Sequence, residues 1–280
     1  MLKQTSLSFL NRDNVLKTSI SNLAWGDTPL KNVLPLIKSV GLDGVELAPT
    51  SIWPDILNVS VSEIKKLRKT LENYNLEVSG IQSLLFGFPE LQIFSKESWP
   101  KLVAHLEHMF MIAENLGAGV AVFGSPRNRI KGKLTWEQAS EVSCEFFSLL
   151  IPSLERHNLV LTLEPNAPEY GSDFLVNYKE VIELSKSIDS PQISVQIDTG
   201  CLWMVGDEPS AAFAEMKPFH IHISTPNLET VPGNLNFNDL LDQVSNSTYK
   251  GWLVIESLNR TPTNAIDSAK WLINELEKRI

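Results

Sequence analysis

The chain has 280 residues, 43% of them hydrophobic, enough to bury a full core. That length suits one α/β barrel of about 250 residues and gives no cause to divide residues 1–280 into two domains. With 24 basic against 33 acidic residues, a net charge of −9, the surface is unsuited to nonspecific nucleic-acid binding, which depends on Lys and Arg. Two cysteines, Cys144 and Cys201, make no disulfide framework. The first residues lack a signal-type apolar run and nothing reaches about 18 apolar residues, so a soluble cytoplasmic protein with no membrane partner is expected.

Eight short apolar segments bounded by Gly, Pro, Asn or Asp read as strands. They are 17–25, 44–48, 76–83, 119–125, 159–164, 193–198, 219–224 and 252–257. Helical patterns separate them. The first runs from a Thr28 cap, with Pro29 at its first position, to Gly41, and Pro35 inside it predicts a kink or a shortened helix. The second opens with Ser60 and Glu63, a capping box, and places Ile64, Leu67, Leu71 and Tyr74 on one face. Long helices begin at Trp99 and Trp136, short ones are expected near 209–215 and 237–246, and a last helix closes the chain. Alternating strands and helices imply parallel pairing with right-handed crossovers. Eight units in 280 residues favour a closed (β/α)8 barrel, and no Gly-rich phosphate loop supports an open doubly wound sheet instead.

Four strands in the second half end in metal-ligand residues: Glu164, Asp198, His222 and Glu256, separated by 34, 24 and 34 residues. A barrel carries its chemistry at the C-terminal ends of its strands, so the four side chains should converge on one rim. Three carboxylates and one imidazole suit Mn²⁺, Mg²⁺ or Co²⁺ better than a thiolate-seeking metal. Each carboxylate alone is as readily a cap or a loop ion pair, and Asp198 could simply cap the next segment. Recurrence in register on consecutive units favours the metal. His220 shares the strand face of His222. His105 and His108, three apart on an outer helix, read as a solvated face, and His157 as a helix-end group serving the dipole.

In GVEL, LEP, DTG, HIHIS and GWLVIE, at strands two, five, six, seven and eight, the chain resembles the sugar-phosphate isomerase/epimerase family of xylose isomerase-like TIM barrels, which includes the ketose 3-epimerases. The resemblance spans nearly the whole chain. It implies a divalent cofactor, Mn²⁺ ahead of Mg²⁺, Co²⁺ or Zn²⁺, held by Glu164, Asp198, His222 and Glu256. It also implies proton transfer by Glu164 and Glu256 through an enediolate of a small sugar or sugar phosphate. Two departures stand out: Cys201 where many relatives carry His, and Leu228 where epimerases tend to carry Arg. A metal-dependent dehydratase of a polyol ketone and a degenerate carbohydrate-binding barrel are the alternatives. The abasic-site endonucleases of the superfamily need more histidines than this chain's five can bring to one site. A homodimer or tetramer is compatible with the family.

Further pocket candidates follow from strand ends and loops. Glu46 and Gln82 could contact substrate hydroxyls, with a loop ion pair the bland reading for Glu46. Trp25 and Trp53 could wall the pocket, though ordinary packing also accounts for them. Arg127, or Arg129 beside it, could take an anionic group. Asn166 and Tyr170 could shape the entrance. Cys201 ranks first as a packed hydrophobe, then as a weak substrate contact. With His220, the expected substrate-binding set is Glu46, Gln82, Arg127, His220, Cys201 and Trp25.

Overall fold

The structure, a computed structural model, describes residues 16–258 and 260–279. Eight parallel strands close into a barrel in chain order: β1 (Lys17–Ser21), β2 (Gly44–Leu47), β3 (Glu77–Ile81), β4 (Val120–Phe123), β5 (Val160–Leu163), β6 (Ile193–Asp198), β7 (His220–Ile223) and β8 (Trp252–Ile255). The helices are α1 (Leu30–Val40), α2 (Pro49–Ile52), α3 (Val61–Glu72), α4 (Trp99–Leu116), α5 (Trp136–Arg156), α6 (Tyr178–Ile188), α7 (Thr199–Met204), α8 (Pro209–Met216), α9 (Asn238–Ser245) and α10 (Pro262–Glu277). Among the described residues, no helix is long and apolar enough to cross a membrane. The expected (β/α)8 architecture is the one found.

Outward strand residues such as Ile221, Ile223, Leu253 and Ile255 pack under the helices in one continuous apolar cluster. The inward face is markedly polar. Ser19 and Ser79 share a hydrogen bond of 2.7 Å, Gln82 donates to Ser21 Oγ at 2.6 Å, and Thr162 donates to Gln196 at 2.8 Å. A polar barrel interior is tolerable because its groups satisfy one another.

Local chemistry moves several boundaries. The first strand stops at Ser21 rather than running to Trp25, because the Ser21 side chain accepts Leu23 N–H and Asn22 Oδ1 takes Ala48 N–H at 2.6 Å, turning the chain. Thr28 does not cap α1: Pro29 stands at the cap, without a side-chain bond. Pro35 leaves α1 unbroken, since it lies on the exposed face, where the carbonyl it leaves unpaired can meet water. Gly41 ends the helix at φ 95°, a left-handed cap that glycine takes without strain. The Ser60–Glu63 capping box is present in both directions. The short helix α7 is an element the sequence pattern did not reveal.

His105 and His108 depart from the solvated-face expectation. His105 is 5% exposed, bonds Leu84 O at 2.8 Å through Nε2 and stacks 4.3 Å from the Phe88 ring. His108 Nε2 lies 2.8 Å from Ile56 O. Loops after β2 and β3 fold back over this helix and use both rings as tethers. His157 stands at the end of α5, where Nδ1 pairs with Glu114 at 2.8 Å.

Candidate metal centre

β5, β6, β7 and β8 are consecutive in the barrel, and each delivers one side chain to the same end. One ligand atom from each of Glu164, Asp198, His222 and Glu256 lies within 4.8 Å of the others, and all four residues are buried. His222 Nδ1 is at the centre, 3.1 Å from Glu164 Oε1, 3.0 Å from Glu256 Oε2 and 3.8 Å from Asp198 Oδ2. It has no hydrogen-bond partner despite being buried. A cation on its lone pair would satisfy it, so the donor set fits a divalent metal.

Neighbouring groups fix how each ligand is presented. Gln196 Nε2 donates to Glu164 Oε1 at 2.7 Å, and Asn166 Nδ2 to Glu164 Oε2 at 3.0 Å. Gly124 leaves the space: a Cβ there would stand 2.3 Å from Glu164 Oε2. Asp198 Oδ1 accepts Cys201 N–H at 2.7 Å and Ser224 Oγ–H at 2.8 Å, capping α7 and leaving Oδ2 on the His222 side. The cap reading of Asp198 is met through Oδ1, and Oδ2 remains for the candidate centre. Gly200 permits this turn, because a Cβ would meet Thr225 O at 2.4 Å. Glu256 N–H bonds Ile223 O at 3.1 Å, fixing the backbone of the fourth ligand.

The electrostatics are those of crowded anions. Burial and the charges of Glu164 and Glu256 push the Asp198 carboxyl up to about 8. His222 loses to burial but gains more from Glu46 and Glu256, and is held well above the ordinary imidazole range. Burial would raise Glu164, yet His222, Asn166 and Arg129 bring it below the usual carboxylate value.

The remaining candidates fall in three places. Glu46 and His220 lie beneath the ligands, fully buried, with His220 Nε2 2.7 Å from Glu46 Oε1. Gln82 is 4% exposed and bonded to Ser21, and Trp25, at 2%, packs in the core. Cys201, 3% exposed, has Sγ 3.9 Å from Asn166 Nδ2, and burial beside Asp198 and Glu164 raises its thiol well above the ordinary value. Tyr170 brings a buried hydroxyl without a hydrogen-bond partner, and burial with the nearby Cys201 and Asp198 charges raises it. Leu228 holds φ 54°, and its carbonyl accepts Leu258 N–H at 2.8 Å, joining the loops after β7 and β8.

The two arginines of the β4 loop part company. Arg127 is exposed. Arg129 is not at the rim but fully buried, its Nη2 donating to Glu164 O and Asn166 Oδ1, each at 2.9 Å, and to Leu175 O at 3.3 Å. Burial lowers its guanidinium to about 10, still charged at neutral pH. Asp173 adds a second tie between the same loops, accepting Lys131 N–H at 2.6 Å and Gly132 N–H at 2.9 Å. Sequence position marked Arg129 as a charge near the mouth, but not its role behind Glu164.

This barrel is similar to several characterised proteins. The inosose dehydratase of Bacillus thuringiensis (strain Al Hakam) is 22% identical over 294 residues, spanning 89% of this chain and 84% of its own. The crystal structure of D-psicose 3-epimerase with D-tagatose from Clostridium cellulolyticum H10 superposes with a TM-score of 0.76 at 13% identity, over 94% of this chain and 98% of that one. That of the IolI protein with a bound zinc atom gives 0.75 at 14%, over 94% and 99%. The model of the xylose isomerase-like TIM barrel family matches residues 34–275, nearly the whole barrel and all four candidate ligands. The chain belongs to that family.

Proposed function

We propose that the protein is a divalent-metal-dependent isomerase or epimerase of a small sugar or sugar phosphate. The observation that carries this reading is the buried, partnerless His222 Nδ1 surrounded by three carboxylates. Glu164 Oε1, Asp198 Oδ2, His222 Nδ1 and Glu256 Oε2 would hold the ion. A divalent cation supplies Lewis-acid polarisation of a carbonyl and its neighbouring hydroxyl, acidifying the C–H between them.

The chain's own residues then handle the proton. Glu164 and Glu256 come from β5 and β8, which are not neighbours in the barrel. Carboxylates reaching in from separate strands can address opposite faces of a planar enediolate, one removing a proton and the other returning one. Gln196 and Asn166 hold both Glu164 oxygens, keeping that carboxylate in place. Burial of the site limits water, which would otherwise compete for the carbanion-like intermediate. Tyr170, Cys201 and the exposed Arg127 border the approach and are the proposed substrate contacts. Glu46 and His220, fully buried, are offered for support of His222 rather than for contact, while Gln82, bonded to Ser21, and Trp25, packed in the core, are offered as parts of the pocket wall. Mn²⁺ is the proposed native ion, and the cytoplasm the proposed compartment.

Metal analysis of protein purified without chelators, followed by a screen of ketoses and their phosphates in D₂O, tests the reading. A stoichiometric dication and solvent deuterium at one substrate carbon are expected. Glu256→Gln, assayed with the dication in excess, should keep the fold while abolishing the exchange; undiminished exchange would remove its proton role. Dehydration of a polyol ketone, the reaction named for the Bacillus relative, begins with the same proton removal. A product lighter by one water would favour it.

A further inference from the structure

Below the ligand layer lies a second buried cluster: Glu46 from β2 with His220 and His222 from β7, all within reach of a shared point. Glu46 and His220 are 0% exposed and His222 1%, so the cluster is shut off from bulk solvent. Glu46 Oε1 is 2.7 Å from His220 Nε2, and Glu46 Oε2 is 2.9 Å from His222 Nε2, the ring nitrogen facing away from the carboxylate ligands. The second pair is at hydrogen-bond distance, and neither Oε2 nor Nε2 has any other partner.

The backbone is shaped for this carboxylate. Glu46 faces inward by alternation between Val45 and Leu47 of the apolar cluster, and the β2–β3 pairing slips by one β3 residue at this point. Opposite it stands Gly80, where a Cβ would come within 3.0 Å of Glu46 Oε1. His220 sits two residues before His222 on the same inward face, so one carboxylate can bridge both rings.

We infer that Glu46, anchored by His220, is a positioning residue that orients His222 by receiving its Nε2–H and so aims Nδ1 at the cation. Only one tautomer of a neutral imidazole donates from Nε2, and that tautomer leaves the Nδ1 lone pair for the metal. A carboxylate behind the ring also makes Nδ1 a stronger donor. His220 blocks Glu46 from swinging away and supplies the second bond that a buried carboxylate requires.

The inference rests on the metal reading above, and its test keeps the two apart. Co²⁺ binding to the purified full chain is followed by chelator competition and by the visible d–d bands. Wild type should bind stoichiometrically. Glu46→Gln should weaken Co²⁺ by roughly 10- to 100-fold and shift the bands, with the far-UV CD of the metal-free protein unchanged. Gly80→Ala, which crowds Glu46 without removing its charge, should move the bands in the same direction with a smaller loss of affinity. It carries the test alone if the Gln variant does not fold. Ser79→Ala, a buried polar control on the neighbouring strand, should leave the spectrum as it was. Wild-type affinity and bands in folded Glu46→Gln, or in folded Gly80→Ala when that variant stands alone, overturn the positioning role and leave the metal reading intact. A wild-type chain that binds no dication takes down both.

Discussion

Ser224 Oγ stands 2.8 Å from Asp198 Oδ1 and makes that carboxylate one-sided. The same hydroxyl accepts Gly200 N–H at 2.8 Å, and Thr199 Oγ1 accepts Ser224 N–H at 2.8 Å. The end of β7 and the start of α7 are thereby sewn together at the point where a ligand must present a single oxygen. Replacing Ser224 by Ala removes two bonds and leaves Gly200 N–H buried without a partner. A stability loss of about 1–3 kcal/mol is expected. Metal affinity should fall about tenfold, because Asp198 can then rotate. Urea denaturation and chelator competition check the two effects; unaltered affinity would show that α7 alone holds Asp198.

Gly124 sets the room for Glu164. A methyl group there would come 2.3 Å from Oε2 and 3.2 Å from Asn166 Oδ1. Gly124→Ala is therefore expected to turn the Glu164 carboxylate out of the ligand cluster and cost about 1–3 kcal/mol by overpacking. The variant should bind metal more weakly than wild type while its far-UV CD remains that of the barrel. Full metal affinity would place the movement in Asn166 instead.

His105 gives the fold a pH dependence separate from the site. Burial holds its imidazole below the ordinary value of 6.5, outweighing the Leu84 carbonyl that favours the charged ring. Well above pH 6.5 the ring is neutral in both folded and unfolded chains and contributes no slope. As pH falls below 6.5, the unfolded chain takes up a proton that the folded one resists, so stability declines. His105→Gln can still donate to Leu84 O but does not titrate. The stability difference between wild type and this variant should change between pH 7.5 and 5.5, moving against wild type. A pH-independent difference would rule out the buried neutral ring.

The convergence of four strand-end side chains was legible because barrel topology turns sequence spacing into position: Glu164, Asp198, His222 and Glu256 each follow an apolar run long enough to be a strand. Glu46 was legible only as a strand-end carboxylate. Its partner His220 is 174 residues away, so nothing local in the sequence joins the two. The ring pair His105 and His108 shows a second limit. Helical spacing says that two residues share a face, while the loops that cover the face belong to other parts of the chain. Arg129 was visible as a rim cation in an otherwise acidic protein, but its burial depends on the β5 loop closing over it.

Arg129 and Asp173 have a consequence for how such barrels change their substrates. Both cross from the β4 loop to the β5 loop, one through Leu175 O and the other through two successive amides at Lys131 and Gly132. The two segments are tied into one piece of architecture: a β4 loop transplanted from another barrel would arrive without its matching clasp. Grafts that exchange both together should retain the wall bearing Glu164, whereas single-loop chimeras should lose it.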